Sequence, residues 1–184
     1  MENLFSGLIS SKTRVKLLIR FFSNPEIRSY LRELSKEFNV STNAVREELN
    51  QLTKTNLLKS KKNGRQVLYA ANTSHPLFPE LTSMVRKVMG IDQVIDGIVN
   101  RLGALERAYL IDDYAEGKDT GIIDLVLVGD IDRYHLNDLS RKTERYIKRK
   151  IRSLVLSYEE FQTMLSRIEQ RPHVLIWEAK KTND

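Results

Sequence analysis

Residues 31–72 read LRELSKEFNVSTNAVREELNQLTKTNLLKSKKNGRQVLYAAN, and their apolar positions follow one period, then another. In SYLRELSKEFNV, Leu31, Leu34 and Phe38 form one helical stripe, and Ser29 is placed to cap it. Asn39-Val40 makes a short turn. Ser41 then caps a helix over 41–56, in which Val45, Leu49 and Leu52 fall at i, i+4 and i+7 and face inward. Thr42, Asn43, Arg46, Glu47 and Asn50 are left on its outer face. Beyond it, LLKSKKNGRQVLYAAN reads as two short strands around Asn63-Gly64, a two-residue turn whose positions both need positive φ. Lys61, Lys62 and Arg65 are expected at the tip. Upstream, KTRVKLLIRFFS (12–23) places Val15, Leu18, Ile19 and Phe22 at helical spacing, and Asn24-Pro25 ends that helix.

Two short helices joined by a tight turn, the second opening on small polar residues and followed by a basic hairpin, make a winged helix-turn-helix. Residues from about 11 to 72, roughly a third of the chain, resemble the winged-helix domain of ArsR-type bacterial transcription regulators. The resemblance implies double-stranded DNA as partner, with the 41–56 helix in the major groove. Ser41, Thr42, Asn43, Arg46 and Asn50 would then lie on the DNA side, with Arg suited to guanine and Asn to adenine. Lys61, Lys62 and Arg65 would contact phosphate or the minor groove. Metal-sensing members of that family use Cys and His ligands. This chain has no Cys and three scattered His (75, 135 and 173), so metal sensing is not implied.

The charge distribution agrees with a nucleic-acid partner for the first half. Residues 1–90 hold 15 Lys/Arg against 7 Asp/Glu, a net +8, while residues 91–184 hold 15 against 17, a net −2. A basic half supplies the field that a phosphate backbone requires. At 184 residues, 41% hydrophobic and 29% charged, the chain is long enough for one large or two small domains. No apolar run approaches a membrane span, and MENLFSGLIS lacks a basic n-region and a long apolar h-region, so neither membrane nor signal peptide is expected. The absence of Cys removes disulfides and thiolate chemistry and fits a reducing cytoplasm.

After the hairpin, Pro76 and Pro79 break its exit, and Leu81, Met84, Val85 and Val88 take helical spacing up to Gly90. IDQVIDGIVNRLG supplies another helix. The expected division is therefore 1–75 for the winged helix, 76–102 for linking helices that could pack against a twin in a homodimer, and 103–184 for a second domain. That last part alternates strands (108–111, GIIDLVLVG, IRSLVLS) with helices (LNDLSRKTERYIKRK, YEEFQTMLSRIEQR) and ends in PHVLIWEA as a strand or helical turn. The fold class is two-domain, α+β with an α/β second half.

Residues 91–178 resemble the minimal nucleotidyltransferase domain of the DNA polymerase beta superfamily, whose motif is Gly-Ser-Tyr-Ala-Arg-Gly followed by Ser-Asp-Ile-Asp-Leu. Here the matching stretch is Asp112-Asp113-Tyr114-Ala115-Glu116-Gly117, then Gly121-Ile122-Ile123-Asp124-Leu125. The framework is kept at Tyr114, Ala115, Gly117, Asp124, Leu125 and Gly129, and SYEEF (157–161) also resembles a family segment. The chemistry is not kept. Asp112, Asp113 and Glu116 would repel a triphosphate. Residues i and i+2 of a strand share a face, and the family's metal-holding pair is Ile122 and Asp124 here. The third family carboxylate would lie on 151–157, and IRSLVLS has none. Asp112, Asp113, Gly117 and Asp124 thus read as a vestigial motif with no catalytic or metal-binding residue and no cofactor. Asp130-Ile131-Asp132 is a second Asp-x-Asp, either a relocated metal site or a polar turn into the next helix. Asp112, Asp113, Glu116 and Asp119 could hold a cation or form an exposed acidic loop.

RKTERYIKRKIR (141–152) is densely cationic, and Arg141, Arg145, Lys148 and Arg152 would share one face if the helix ran that far. It could extend a DNA contact, bind an anionic ligand, or be a solvated amphipathic helix. The combined expectation is a DNA-binding regulator, its second domain serving in dimerisation, small-molecule sensing or protein contact. The alternatives are an active nucleotidyltransferase with a relocated metal site and an antitoxin-like interaction protein.

Overall fold

The computed structural model describes residues 8–179. The chain separates into two compact units, Met1–Val88 and Met89–Asp184.

The first unit runs α1 (Lys12–Phe22), β1 (Arg28–Tyr30), α2 (Leu31–Phe38), α3 (Thr42–Lys54), β2 (Leu58–Asn63), β3 (Gln66–Ala71) and α4 (Phe78–Met89), the last ending at the boundary. Its antiparallel sheet has the order β1-β3-β2. This is a winged helix-turn-helix. Leu17, Phe21, Phe22, Leu34, Val45, Leu49 and Leu58 are the core. α1 buries Leu17 and Phe21 as well as Val15, Leu18 and Phe22, a wider face than its stripe suggests, because it packs on both α3 and β3.

Three local details differ from the sequence expectation. Ser29 does not cap α2. It is buried in β1 opposite Tyr69, and α2 begins after Tyr30, with Glu33 accepting from the Tyr30 N–H at 3.0 Å. A three-residue strand has too little periodicity to be seen in a sequence. The hairpin turn is Gly64-Arg65 rather than Asn63-Gly64, since Asn63 pairs with Gln66 and only Gly64 takes positive φ (60°). Glycine at the first of two loop positions suits a II′-type turn. Only Arg65 is therefore at the tip, while Lys62 and Lys61 lie within β2 opposite Val67 and Leu68. Pro79, expected in the break after the hairpin, sits in the first turn of α4, where its missing N–H costs nothing.

The second unit runs α5 (Ile91–Gly97), a 3-10 turn (Val99–Arg101), β4 (Leu105–Ile111), α6 (Asp112–Ala115), β5 (Ile122–Gly129), α7 (Arg133–Ile147), β6 (Lys150–Leu156), α8 (Tyr158–Glu169) and β7 (His173–Glu178). The sheet order is β6-β5-β4-β7, with β5 and β6 parallel and the other pairs antiparallel. A mixed sheet with flanking helices completes the two-domain α+β architecture. β5 is buried along most of its length, as its apolar run requires. The single helix expected over 91–103 is broken after Gly97, and PHVLIWEA forms the strand β7.

α8 covers one face of the sheet, where Ile111, Val126, Val128, Leu156, Phe161 and Ile168 form a cluster. Tyr109 stacks on Phe161 with ring centroids 5.5 Å apart. At the end of β5, Gly129 has φ 145°, and a Cβ there would collide with the backbone carbonyl of Ala104. That oxygen belongs to the main chain leading into β4 and cannot rotate aside. Gly129→Ala is expected to cost about 2–3 kcal/mol of stability, read by urea unfolding of the full chain.

Candidate nucleic-acid interface

The inner face of α3 is held in place by Val45, Leu49 and Leu52, all buried. A polar tether from α1 fixes its flank. Glu48 accepts from Ser11 Oγ at 2.5 Å and from Arg14 Nε at 2.7 Å, and Arg14 also donates to Gln51. Ser41 Oγ caps the helix by accepting from the Ala44 N–H at 3.2 Å. The turn before it is made by Asn39, whose φ of 53° ends α2. With one side packed and one flank tied, Thr42, Asn43, Arg46, Glu47 and Asn50 remain exposed.

Arg46 Nη1 donates to Asn43 Oδ1 at 2.8 Å, so these two side chains form a pair on the open face. Arg46 and Asn50 line one wall of a groove of about 750 Å³, and Arg65 of the wing lines the other. Ser41, Thr42, Asn43, Lys61 and Lys62 do not line it, although all are exposed. Tyr30, Arg32, Asn63, Gln66 and Tyr69 also line this groove, and the sequence reading assigned none of them to the interface. Asn63 Nδ2 donates to Tyr30 Oη at 2.7 Å and ties the wing to the start of α2. The only signal for Tyr30 would have been the strand β1. Among the described residues, Lys61, Lys62 and Arg65 have no ion-pair partner, and their charges are available to an anion.

The carboxylates of the second unit are placed differently. Asp124 on β5 stands opposite Arg152 on β6, and the two form a bidentate pair, Nε to Oδ1 at 2.6 Å and Nη2 to Oδ2 at 2.7 Å. Asp112, with φ 57°, opens α6, and its carboxylate accepts both Arg171 Nε at 2.9 Å and Arg171 Nη2. The Arg152 guanidinium is held above its ordinary pKa first by the Asp124 hydrogen bond and charge and then by Asp112 and Asp113. A guanidinium therefore stands among the carboxylates that a magnesium ion would need. Ile122 offers no ligand on the same strand, and the β6 residue facing Asp124 is a cation. These residues do not fit a two-metal centre. Among the described residues, no group of three or more His, Asp or Glu could hold a metal ion. Asp132 is the cap of α7, accepting from the Tyr134 N–H at 2.8 Å, so the second Asp-x-Asp lies at a helix entry. Asp113 is exposed, Glu116 pairs with Lys118, and Gly117 is buried with φ 73°.

Asp119 belongs to a separate network. Arg149, 9% exposed, donates Nε to Asp119 Oδ1 at 3.0 Å and Nη2 to Oδ2 at 2.5 Å. Tyr114, 1% exposed, donates its hydroxyl to Asp119 Oδ1 at 2.5 Å. Burial would raise the Asp119 carboxyl, but the Arg149 and Tyr114 hydrogen bonds and the Arg149 charge outweigh it, and the group titrates below the ordinary carboxylate range. Burial first, then the bond to Asp119, pushes the Tyr114 phenol well above its usual value. The four-residue helix α6 and the loop to β5 are thereby anchored to the segment between α7 and β6.

No protein-family model matches the chain, and no curated protein matches it. Several solved structures are similar in part. Reduced HlyU from Vibrio cholerae N16961 is 18% identical over 45% of this chain and 78% of that one, with a TM-score of 0.36. A mutant of Lactococcus lactis ZitR is 21% identical over 46% and 59%, with a TM-score of 0.36. A mutant of the toxin–antitoxin MntA-HpeT is 15% identical over 50% and 74%, with a TM-score of 0.39. Each likeness is partial and of low identity, and the functional reading rests on this chain's own residues.

The network contributes to the pH dependence of the second unit's stability. Asp119, lowered in the fold, contributes stability that is present above about pH 4 and lost as pH falls through its folded pKa. Tyr114, raised in the fold, contributes stability that is present below about pH 10 and lost as pH rises beyond it. Asp119→Asn is expected to cost about 2–3 kcal/mol at neutral pH, because a largely buried guanidinium loses its counter-charge, and to flatten the acid limb. Tyr114→Phe should flatten the alkaline limb. Unfolding by urea across the pH range reads both.

Proposed function

We propose that the protein is a DNA-binding transcription regulator that reads duplex DNA through α3. The observation that carries this reading is the groove between the open face of α3 and the wing, with Arg46 and Asn50 on one wall and Arg65 on the other. Arg and Asn are the side chains that form bidentate contacts to guanine and adenine edges. The Arg46–Asn43 bond presents the two as a preset pair. Lys61 and Lys62 supply sequence-independent attraction to phosphate from the neighbouring strand. The +8 net charge of residues 1–90 supports the same assignment.

The regulator acts as a homodimer, in which two recognition helices address half-sites about one helical turn apart. The second unit is non-catalytic and serves dimerisation, ligand sensing or partner contact. What supports this is the pairing of its would-be metal ligands with Arg152 and Arg171. Among the described residues, no helix is long and apolar enough to cross a membrane.

Fluorescence anisotropy with DNA from upstream of the gene, beside scrambled duplex, tests the reading. Arg46→Ala should cost roughly 1–3 kcal/mol on a cognate site and relax preference there, whereas Lys62→Gln should weaken all sequences alike. Equal behaviour of the two variants would refute base reading by α3. Calorimetry with magnesium and ATP is expected to show no metal-dependent binding, and magnesium-dependent incorporation of labelled nucleotide would return the chain to the enzymes.

A further inference from the structure

The cationic segment 141–152 does not form one helical face. α7 ends at Ile147, and Lys148 takes a left-handed conformation (φ 56°) as its cap. The chain then enters β6, so Arg152 points to Asp124 and Arg149 turns inward to Asp119. Lys150 is committed to Glu144 at 2.9 Å, and Lys142 to Asp138 at 2.6 Å. Arg141 has only a 4.0 Å approach to that same Asp138. Among the described residues, Arg145 and Lys148 have no ion-pair partner. Four of these seven cations are thus held in close pairs, Arg141 makes one long ion pair, and Arg145 and Lys148 make none.

The three remaining cations, Arg141, Arg145 and Lys148, line one open groove of about 530 Å³. The acid on its wall, Glu144, is already engaged. It accepts from the backbone N–H of Ile151 and from Lys150 Nζ, both at 2.9 Å, and the first of these bonds is the main cause of its lowered pKa. On the adjacent side of the same helix, Tyr146 is 84% exposed and lines a smaller depression with Arg101 and Lys142. The surrounding unit is net −2, so this concentration of positive charge is a local feature and not the average of the domain.

We propose that this end of α7 is a second nucleic-acid contact, at which Arg141, Arg145 and Lys148 take the phosphodiester backbone of duplex DNA and Tyr146 flanks it. From Arg141 to the cap residue Lys148 the chain advances about 10 Å along the helix axis. That is the axial length of about three phosphates on one strand of B-DNA. An open groove at an exposed helix end admits a continuous backbone, and Arg, Lys and Tyr are all side chains that bind phosphate oxygens. The contact is independent of base sequence. It adds affinity to the α3 reading, on which it rests, without adding preference.

The test uses the full chain and duplex DNA, with anisotropy measured from about 50 to about 200 mM salt. The triple variant Arg141→Gln, Arg145→Gln, Lys148→Gln should reduce the slope of log affinity against log salt by about 2.7, so that the affinity lost over that range shrinks about 40-fold. Preference for cognate over scrambled duplex should stay unchanged. An unchanged slope, with wing variants still flattening it, would overturn the second contact and leave the α3 reading intact. A lower melting temperature with an unchanged slope would identify the three as charges that serve only the helix dipole, which also overturns it. No binding by the folded wild type would overturn both readings, and a loss of preference in the triple variant would show that the groove reads bases and not backbone.

Discussion

A carboxylate or guanidinium withdrawn from water needs an opposite charge within hydrogen-bonding reach, and this constraint sorts the charges of the protein into two classes. Glu48 with Arg14, Asp119 with Arg149, Asp124 with Arg152 and Asp112 with Arg171 are compensated within their own units. Lys61, Lys62 and Arg65 on the wing, and Arg145 and Lys148 at the end of α7, have no ion-pair partner among the described residues. The compensated charges hold elements together. The uncompensated ones are those an external polyanion can neutralise, because desolvating them loses no internal partner.

The same constraint explains how Asp112 and Asp124 can stand near one another beside the sheet. Carboxylates gathered at strand ends repel one another unless a cation stands between them. A metal ion is one such cation and a guanidinium is another. Arg152, in register with Asp124 across parallel strands, supplies that charge from the chain itself. Asp119 shows the structural version of the arrangement, with a nearly buried tyrosine and arginine converging on one carboxylate and fixing the loop ahead of β5.

Most of the fold was legible along the chain. The cap at Ser41 and the apolar stripe of α3 are local features, formed by residues within a few positions of each other. The continuous apolar run of β5 announces a strand buried on both faces. Less visible were β1, whose three residues become a strand only by pairing with β3, and the hairpin register, which moved the turn one residue onward to Gly64-Arg65. The exposed face of α3 was readable from helical spacing, but its groove was not, since Tyr30 and Arg32 come from β1 and α2. The arginine partners of Asp112 and Asp124 were hidden for the same reason, lying 59 and 28 residues away.

By itself, then, the sequence determined the order and type of most elements, the basic character of the first half and the apolar side chain at Ile122. Period, capping and charge balance act within a turn or are simple sums, and neither needs a fold to be read. Only the tertiary structure decided which charges cancel. A salt bridge depends on the register of two strands or on the point where a helix stops. The end of α7 at Ile147 turned one apparent basic stripe into an internal clamp at Arg149, a counter-ion at Arg152 and an open cationic groove at the helix end.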